Sequence, residues 1–236
     1  FRGAHGALAG RGKAEVTRAE LARLLDHSVL KPEATRAEVI EGAQVVIVWN
    51  IGQYCVQPGW VRAASEALAG SGALVASVIG FPHGCEPGEV KARAAEIAVR
   101  DGAREVDMVI QLGRLKDGDT DAVAEDIRAV VRAVPGIGVK AIIEARALSD
   151  AEKTLACRIA LDCGVAFVKT STGFHPSGGA TVADVRLMRA AVGPGIGVKA
   201  SGGIRTLADA LAMLEAGANR LGASASAAIL GALPSR

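Results

Sequence analysis

The 236-residue chain is half hydrophobic by count and 22% charged, with 27 basic residues against 25 acidic ones and a formal net charge of +2. So even a balance lacks the clustered basic face that nucleic acid demands, and 3% aromatics leave little for stacking on single strands. No apolar run reaches the roughly 18 residues of a helical membrane span.

Residues 1–16, FRGAHGALAGRGKAEV, are rich in Gly, Ala and Arg and lack the apolar core of a secretory signal. They read as a flexible tail ahead of one domain over 17–236, a length that suits a single α/β barrel. A helix is expected over 17–25. After it one rhythm repeats. Short β-rich runs at 26–30, 54–57, 75–79, 105–110, 139–144, 167–170, 198–201 and 220–222 alternate with helical stretches near 35–50, 58–70, 86–101, 119–134, 149–163, 181–192, 206–216 and 224–231. Ser149 and Glu152 have the spacing of a capping box, Thr181 and Asp184 follow similar logic, and Gly102, Gly164 and Gly217 suit helix ends. Strands alternating with helices imply a parallel sheet. Eight such units point to an α/β fold consisting of a single (β/α)8 TIM barrel with an extra N-terminal helix.

The strands of a parallel barrel should be apolar, yet several here carry charges. Alternation puts Glu105, Asp107 and Val109 on one face, Lys140, Ile142 and Glu144 on another, Phe167, Lys169 and Ser171 on a third, and Lys199 with Ser201 on a fourth. If those faces point inward, the interior holds Asp107, Lys140, Glu144, Lys169 and Lys199. Unpaired buried charges are costly, so the set is either a structural ion network or a chemical site. Lys169 and Lys199 fall toward the C-terminal ends of their strands, where barrel enzymes place their chemistry. Two adjacent amines depress one another's protonation, which frees one to attack a carbonyl and form a Schiff base. A carboxylate such as Asp107 can then shuttle protons.

Three strands close in small hydroxylated or glycine-rich turns: Thr170-Ser-Thr-Gly173, Ser201-Gly-Gly203 and Gly222-Ala-Ser224. Backbone N–H groups there can approach an anion, and a phosphate pocket after the last strands recurs among barrel enzymes. Cys55 ends the second strand, where its thiol either meets an aldehyde or packs as a small core group. The four cysteines, Cys55, Cys85, Cys157 and Cys163, show no C-x-x-C spacing, which suits reduced thiols in a cytoplasmic protein. His5, His27, His83 and His175 are scattered without metal-ligand spacing, so neither metal nor cofactor is expected.

The segments LLDHSVLKPEAT, YCVQP, VIGFPHG, GAREVDMVIQLGRLKDGD, VKAIIEA, FVKTSTGF, GATVADVRLMR and VKASGGIRTLADAL, in that order from about residue 20 to 230, resemble the deoxyribose-phosphate aldolases. The resemblance implies a metal-free class I aldolase that reversibly cleaves 2-deoxy-D-ribose 5-phosphate to D-glyceraldehyde 3-phosphate and acetaldehyde. It implies Lys169 as Schiff-base nucleophile, Lys199 as the lysine that lowers its pKa and Asp107 as proton relay. It implies Asp26 as a contact to the substrate's hydroxyls and Gly173, Gly202, Gly203 and Ser224 as the phosphate cradle; Cys55, Lys140, Thr170 and Gly222, from the strand and turn readings above, complete the expected substrate-binding set. A homodimer or homotetramer in cytoplasmic nucleoside-sugar catabolism is the corresponding expectation. Ser28, Val29, His83, Gln111, Ala145, Arg146 and Ala225 depart from the family's usual pattern. Another sugar-phosphate barrel enzyme, transaldolase-like or an isomerase, and a non-catalytic phosphate-ligand binder are the alternatives.

Overall fold

The computed structural model describes residues 16–234. The tail expected over 1–16 therefore lies, Val16 apart, outside the described residues. The elements follow in order as α1 (Arg18–Arg23), β1 (Leu25–Val29), α2 (Arg36–Val48), β2 (Gln53–Val56), α3 (Val61–Ala67), β3 (Leu74–Ile79), α4 (Gly88–Arg100) and β4 (Glu105–Val109). Then come α5 (Leu112–Lys116), α6 (Thr120–Ala133), β5 (Gly138–Ile142), α7 (Asp150–Asp162), β6 (Phe167–Lys169), α8 (Val182–Val192), β7 (Gly197–Ser201), α9 (Leu207–Glu215), β8 (Arg220–Ala223) and α10 (Ser226–Gly231). The eight strands pair in parallel, each with its sequence neighbours, and β8 closes on β1. This is the (β/α)8 barrel, with α1 as its extra N-terminal helix.

Local chemistry accounts for the punctuation. Thr17, Thr35, Ser149 and Thr206 each form a reciprocal capping box with an acidic residue three positions on, which satisfies backbone donors that a helix start leaves open. Gly102, Gly164 and Gly217 follow helix ends at φ of 120°, 79° and 108°. The main apolar core lies between strands and helices, where Val106, Met108, Val139, Ala141, Val168 and Val198 point outward from the barrel. Inside the barrel a small apolar cluster of Cys55, Ala76 and Val78 is closed by Leu30 and Phe81. Much of the remaining interior is ionic.

Three differences from the sequence reading have physical causes. The stretch 58–70 divides into a 3₁₀ turn over Pro58–Trp60 and α3, because Pro58 and Gly59 open it with weak helix formers. A short helix, α5, occupies the loop after β4 that periodicity did not reveal. β5 ends at Ile142 rather than at 144, and Glu144 turns the chain in a left-handed conformation. Its side chain turns to Thr172 instead of joining the charges inside the barrel.

Candidate active site

Seven charged side chains from six strands form one connected network inside the barrel. Strand register creates it: Asp107 stands beside Lys140, and Lys169 beside Lys199, so their side chains share the inner face. Asp107 is central. Its Oδ2 accepts from Lys169 Nζ and from Lys199 Nζ, each at 2.8 Å, and its Oδ1 accepts from Lys140 Nζ at 2.7 Å. Lys199 Nζ also donates to Asp26, whose other oxygen accepts from Arg220 Nη1 at 3.0 Å. Glu105 completes the network by pairing with Lys140. Beneath it lies the Phe167 ring, with Arg220 at 5.3 Å and Lys140 at 6.0 Å from its centroid. A Cβ at residue 197 would collide with that ring, so Gly197 is what lets Phe167 fill the floor.

Four cations thus face three carboxylates, and the network becomes neutral when one amine gives up its proton. Lys140 pairs with three carboxylates and Lys199 with two, and a guanidinium such as Arg220 does not deprotonate. Lys169 has only Asp107, which it shares. Burial, with the Lys199 ammonium adding to it, holds Lys169 below the ordinary amine range against the pull of Asp107. Burial also opposes the charge on Lys199, but Asp107 and Asp26 overcome it and hold that amine above its usual value. Asp107 is likewise disfavoured by burial yet held well below the carboxylate range by Lys140, Lys169 and Lys199. For Asp26 the same contest between burial and its partners, decided by Lys199, Arg220 and Lys140, ends at about 2. Lys169 is therefore the amine of the network that gives up its proton most readily. Once neutral, such an amine, with the Phe81 ring 6.0 Å away, can attack a carbonyl.

Lys169 and Lys199 open onto a cavity of about 250 Å³ at the C-terminal ends of the strands. Asp26, Cys55, Gly173, Gly202, Gly203, Gly222 and Ser224 line it as well. Gly202 has φ 84°, and a Cβ there would stand 2.9 Å from Gly179 Cα, so two turns meet at a spacing only glycine allows. Asp107, Lys140 and Thr170 are fully buried and stand outside the cavity wall. Lys140 therefore reaches the site through Asp107, and Thr170 ties β6 to β7 by donating to Ser201 O at 3.2 Å and accepting from Ser201 N at 3.0 Å. Burial, and Asp107 after it, pushes the Cys55 thiol up to about 11. His27 faces away, stacked 5.8 Å from Tyr54 and bonded to Ser226 Oγ at 3.2 Å. Sequence reasoning missed Glu105 and Arg220 as members of the network, and Lys31, Thr172 and Arg205 as cavity walls. Alternation already puts Glu105 on the face of Asp107, and Arg220 lies two residues before the cavity-lining Gly222. Carrying the inward face back to the strand starts would have found both.

Among the described residues there is no cluster of His, Cys, Asp and Glu suited to a metal ion, and no helix is long and apolar enough to cross a membrane.

A family model described as DeoC/LacD family aldolase matches residues 3–232. The deoxyribose-phosphate aldolase of Listeria monocytogenes serotype 4a is 50% identical over 211 residues, which is 89% of this chain and 94% of that protein. That of Enterococcus faecalis is 52% identical over 212 residues, 89% of this chain and 96% of its own. Among solved structures, QR15, an aldolase, matches with a TM-score of 0.86 at 38% identity, covering 89% of this chain and 94% of that one. The tetrameric deoxyribose phosphate aldolase from Aeropyrum pernix matches with a TM-score of 0.84 at 31% identity, covering 91% of each.

Proposed function

The chain belongs to the DeoC/LacD family of aldolases, and from that membership we propose that it reversibly cleaves 2-deoxy-D-ribose 5-phosphate to D-glyceraldehyde 3-phosphate and acetaldehyde through an imine on Lys169. The observation that carries the residue assignment is that Lys169 and Lys199 donate to one oxygen of Asp107, and only Lys169 lacks a second carboxylate.

Neutral Lys169 Nζ adds to C1 of the open-chain aldehyde, and loss of water leaves a protonated imine. The C3 hydroxyl gives up its proton, the C2–C3 bond breaks, and its electron pair flows into the iminium to give an enamine. Carbon 3 departs as the aldehyde of glyceraldehyde 3-phosphate. Protonation of the enamine at C2, followed by hydrolysis of the imine, releases acetaldehyde and regenerates Lys169. Asp107, hydrogen-bonded to the cavity-lining Lys199, takes up the C3 hydroxyl proton through that amine and returns it to C2 of the enamine, so the proton is conserved over the cycle. Gly173, Gly202, Gly203 and Ser224 are the proposed phosphate cradle, with Lys31 and Arg205 as exposed cations at its rim. The cradle and rim suit a phosphorylated substrate, and the catalytic unit is proposed to assemble as a dimer or tetramer.

The test is incubation with acetaldehyde and borohydride, then intact mass and peptide mapping. One reduced two-carbon adduct on Lys169, absent from Lys169→Ala, is the expected result. No adduct, or adducts spread over surface lysines, would move the chain to a different barrel reaction.

A further inference from the structure

The exit of β5 carries a feature the mechanism does not use. Glu144 adopts φ 49° and ψ 58°, a left-handed conformation that a residue with a long side chain seldom takes. Among the described residues the only other non-glycine at positive φ is Asn50, whose side chain tolerates that region better. The Glu144 carboxylate is buried, 1% exposed, and among the described residues no cation lies within ion-pair distance of it. It bonds instead to a single neighbour. Thr172 N approaches its two oxygens at 3.3 and 3.2 Å, and Thr172 Oγ1 donates to it at 2.6 Å.

The flanking backbone continues the pairing beyond both strand ends. Ile143 N donates to Lys169 O at 3.0 Å, and Ala145 N to Thr170 O at 2.7 Å. Left-handed geometry at Glu144 is what directs its side chain along this same turn while its neighbours' N–H groups hold the turn's backbone. Thr172 Oγ1 then accepts from Phe174 N at 3.1 Å. Phe174 packs edge-on to Phe81 at 5.4 Å, and Phe81 covers Lys169. The turn so fastened contains Thr172 and Gly173, both cavity walls.

We infer that Glu144 is a positioning residue that latches the turn after β6, holding Gly173 between the two bonded N–H groups of Thr172 and Phe174 in the position the phosphate end of the substrate requires. The inference rests on the phosphorylated-substrate reading above. A carboxylate suits the latch because it is acceptor-only and offers an oxygen to the N–H and the O–H of Thr172 at once. Glu144 touches no reacting atom, so its loss should weaken recognition of phosphate and spare the amine chemistry.

Three variants separate these effects: Glu144→Ala removes the latch, Glu144→Gly also removes the backbone strain, and Glu144→Gln keeps one acceptor. Each is assayed with 2-deoxyribose 5-phosphate and with 2-deoxyribose, alongside thermal melting and borohydride trapping with acetaldehyde. For Ala and Gly the KM for the phosphorylated substrate should rise roughly tenfold or more, from loss of two bonds to a charged group. Their kcat/KM for 2-deoxyribose should stay within about twofold, trapping on Lys169 should persist, and Gln should recover most of the loss. If Ala fails to fold, Gly, which adopts the left-handed region freely, still gives the measurement. Equal losses on both substrates, or an unchanged KM, would overturn the latch. Wild-type protein that shows no preference for the phosphorylated sugar would overturn the reading beneath it, and is recognised without any variant.

Discussion

Replacing Lys199 by methionine should raise the pKa of Lys169 and make imine formation depend on higher pH. Both ammonium nitrogens lie 2.8 Å from the same Asp107 oxygen, so they stand no more than twice that distance apart. At an effective dielectric constant of about 20, two unit charges at that separation repel by about 3 kcal/mol, or about two pKa units. The Lys199→Met variant would also leave three cations facing three carboxylates, a balanced set in which Lys169 keeps its proton. The acidic limb of the imine-formation profile should therefore move up by about two units, and the rate near neutrality should fall about a hundredfold. Rapid-quench borohydride trapping with acetaldehyde across a pH series, read by intact mass, measures this directly. Breaking a buried pair costs about 3–5 kcal/mol, so melting curves must accompany the profile. A folded variant whose acidic limb stays in place, or moves down, would refute the claim that Lys199 sets the protonation of Lys169.

Two further outcomes follow from burial. His27 is held by burial at about 4, below its ordinary value of 6.5. The neutral imidazole therefore stabilises the fold in full above pH 6.5, and that contribution is lost as pH falls from 6.5 through 4. The gap corresponds to roughly 3 kcal/mol, so His27→Gln should flatten the difference in urea midpoint between about pH 7.5 and 4.5; a variant as acid-sensitive as the parent would contradict it. Cys85 is exposed while Cys55 is buried with its thiol pushed up to about 11. Iodoacetamide at about pH 7.5 should alkylate Cys85 first and Cys55 at least about a hundredfold more slowly, leaving imine trapping intact; comparable rates by peptide mapping would show that Cys55 is open to solvent.

What could be read from the sequence was what repeats or alternates. The strand-and-helix rhythm carried the barrel, because each unit must bury one face of a strand and one stripe of a helix. Lys169, Lys199 and Asp107 were visible because a charge at an inward strand position breaks an otherwise apolar pattern. Glu144 was misplaced by that same rule. Alternation extrapolated it into the barrel, whereas the strand ends two residues earlier and a left-handed turn carries it toward Thr172. Periodicity holds no information about where hydrogen-bonded pairing stops. Lys140 and Thr170 show a second limit: side chains on the correct face can still lie a layer behind the cavity, at a depth set by register between strands. Lys31 and Arg205 come from loops, where no period exists to place them.

The excess of one cation bears on more than the first step. Nucleophilic attack requires Lys169 neutral, and the network of four cations and three carboxylates favours that state. Once the protonated imine forms, the positive charge returns to the same nitrogen, and the imbalance returns with it. Cleavage of the C2–C3 bond sends an electron pair to that nitrogen and neutralises it. The surrounding charges therefore disfavour the iminium relative to the enamine in the direction of bond breaking, which is where differential stabilisation accelerates a reaction. On the proposed mechanism, one fixed arrangement of Asp107, Lys199, Lys140, Asp26, Glu105 and Arg220 would serve both the nucleophile and the electron sink. Removing a cation from it should slow both steps, and removing Glu105, which increases the positive excess, should leave Lys169 neutral at still lower pH.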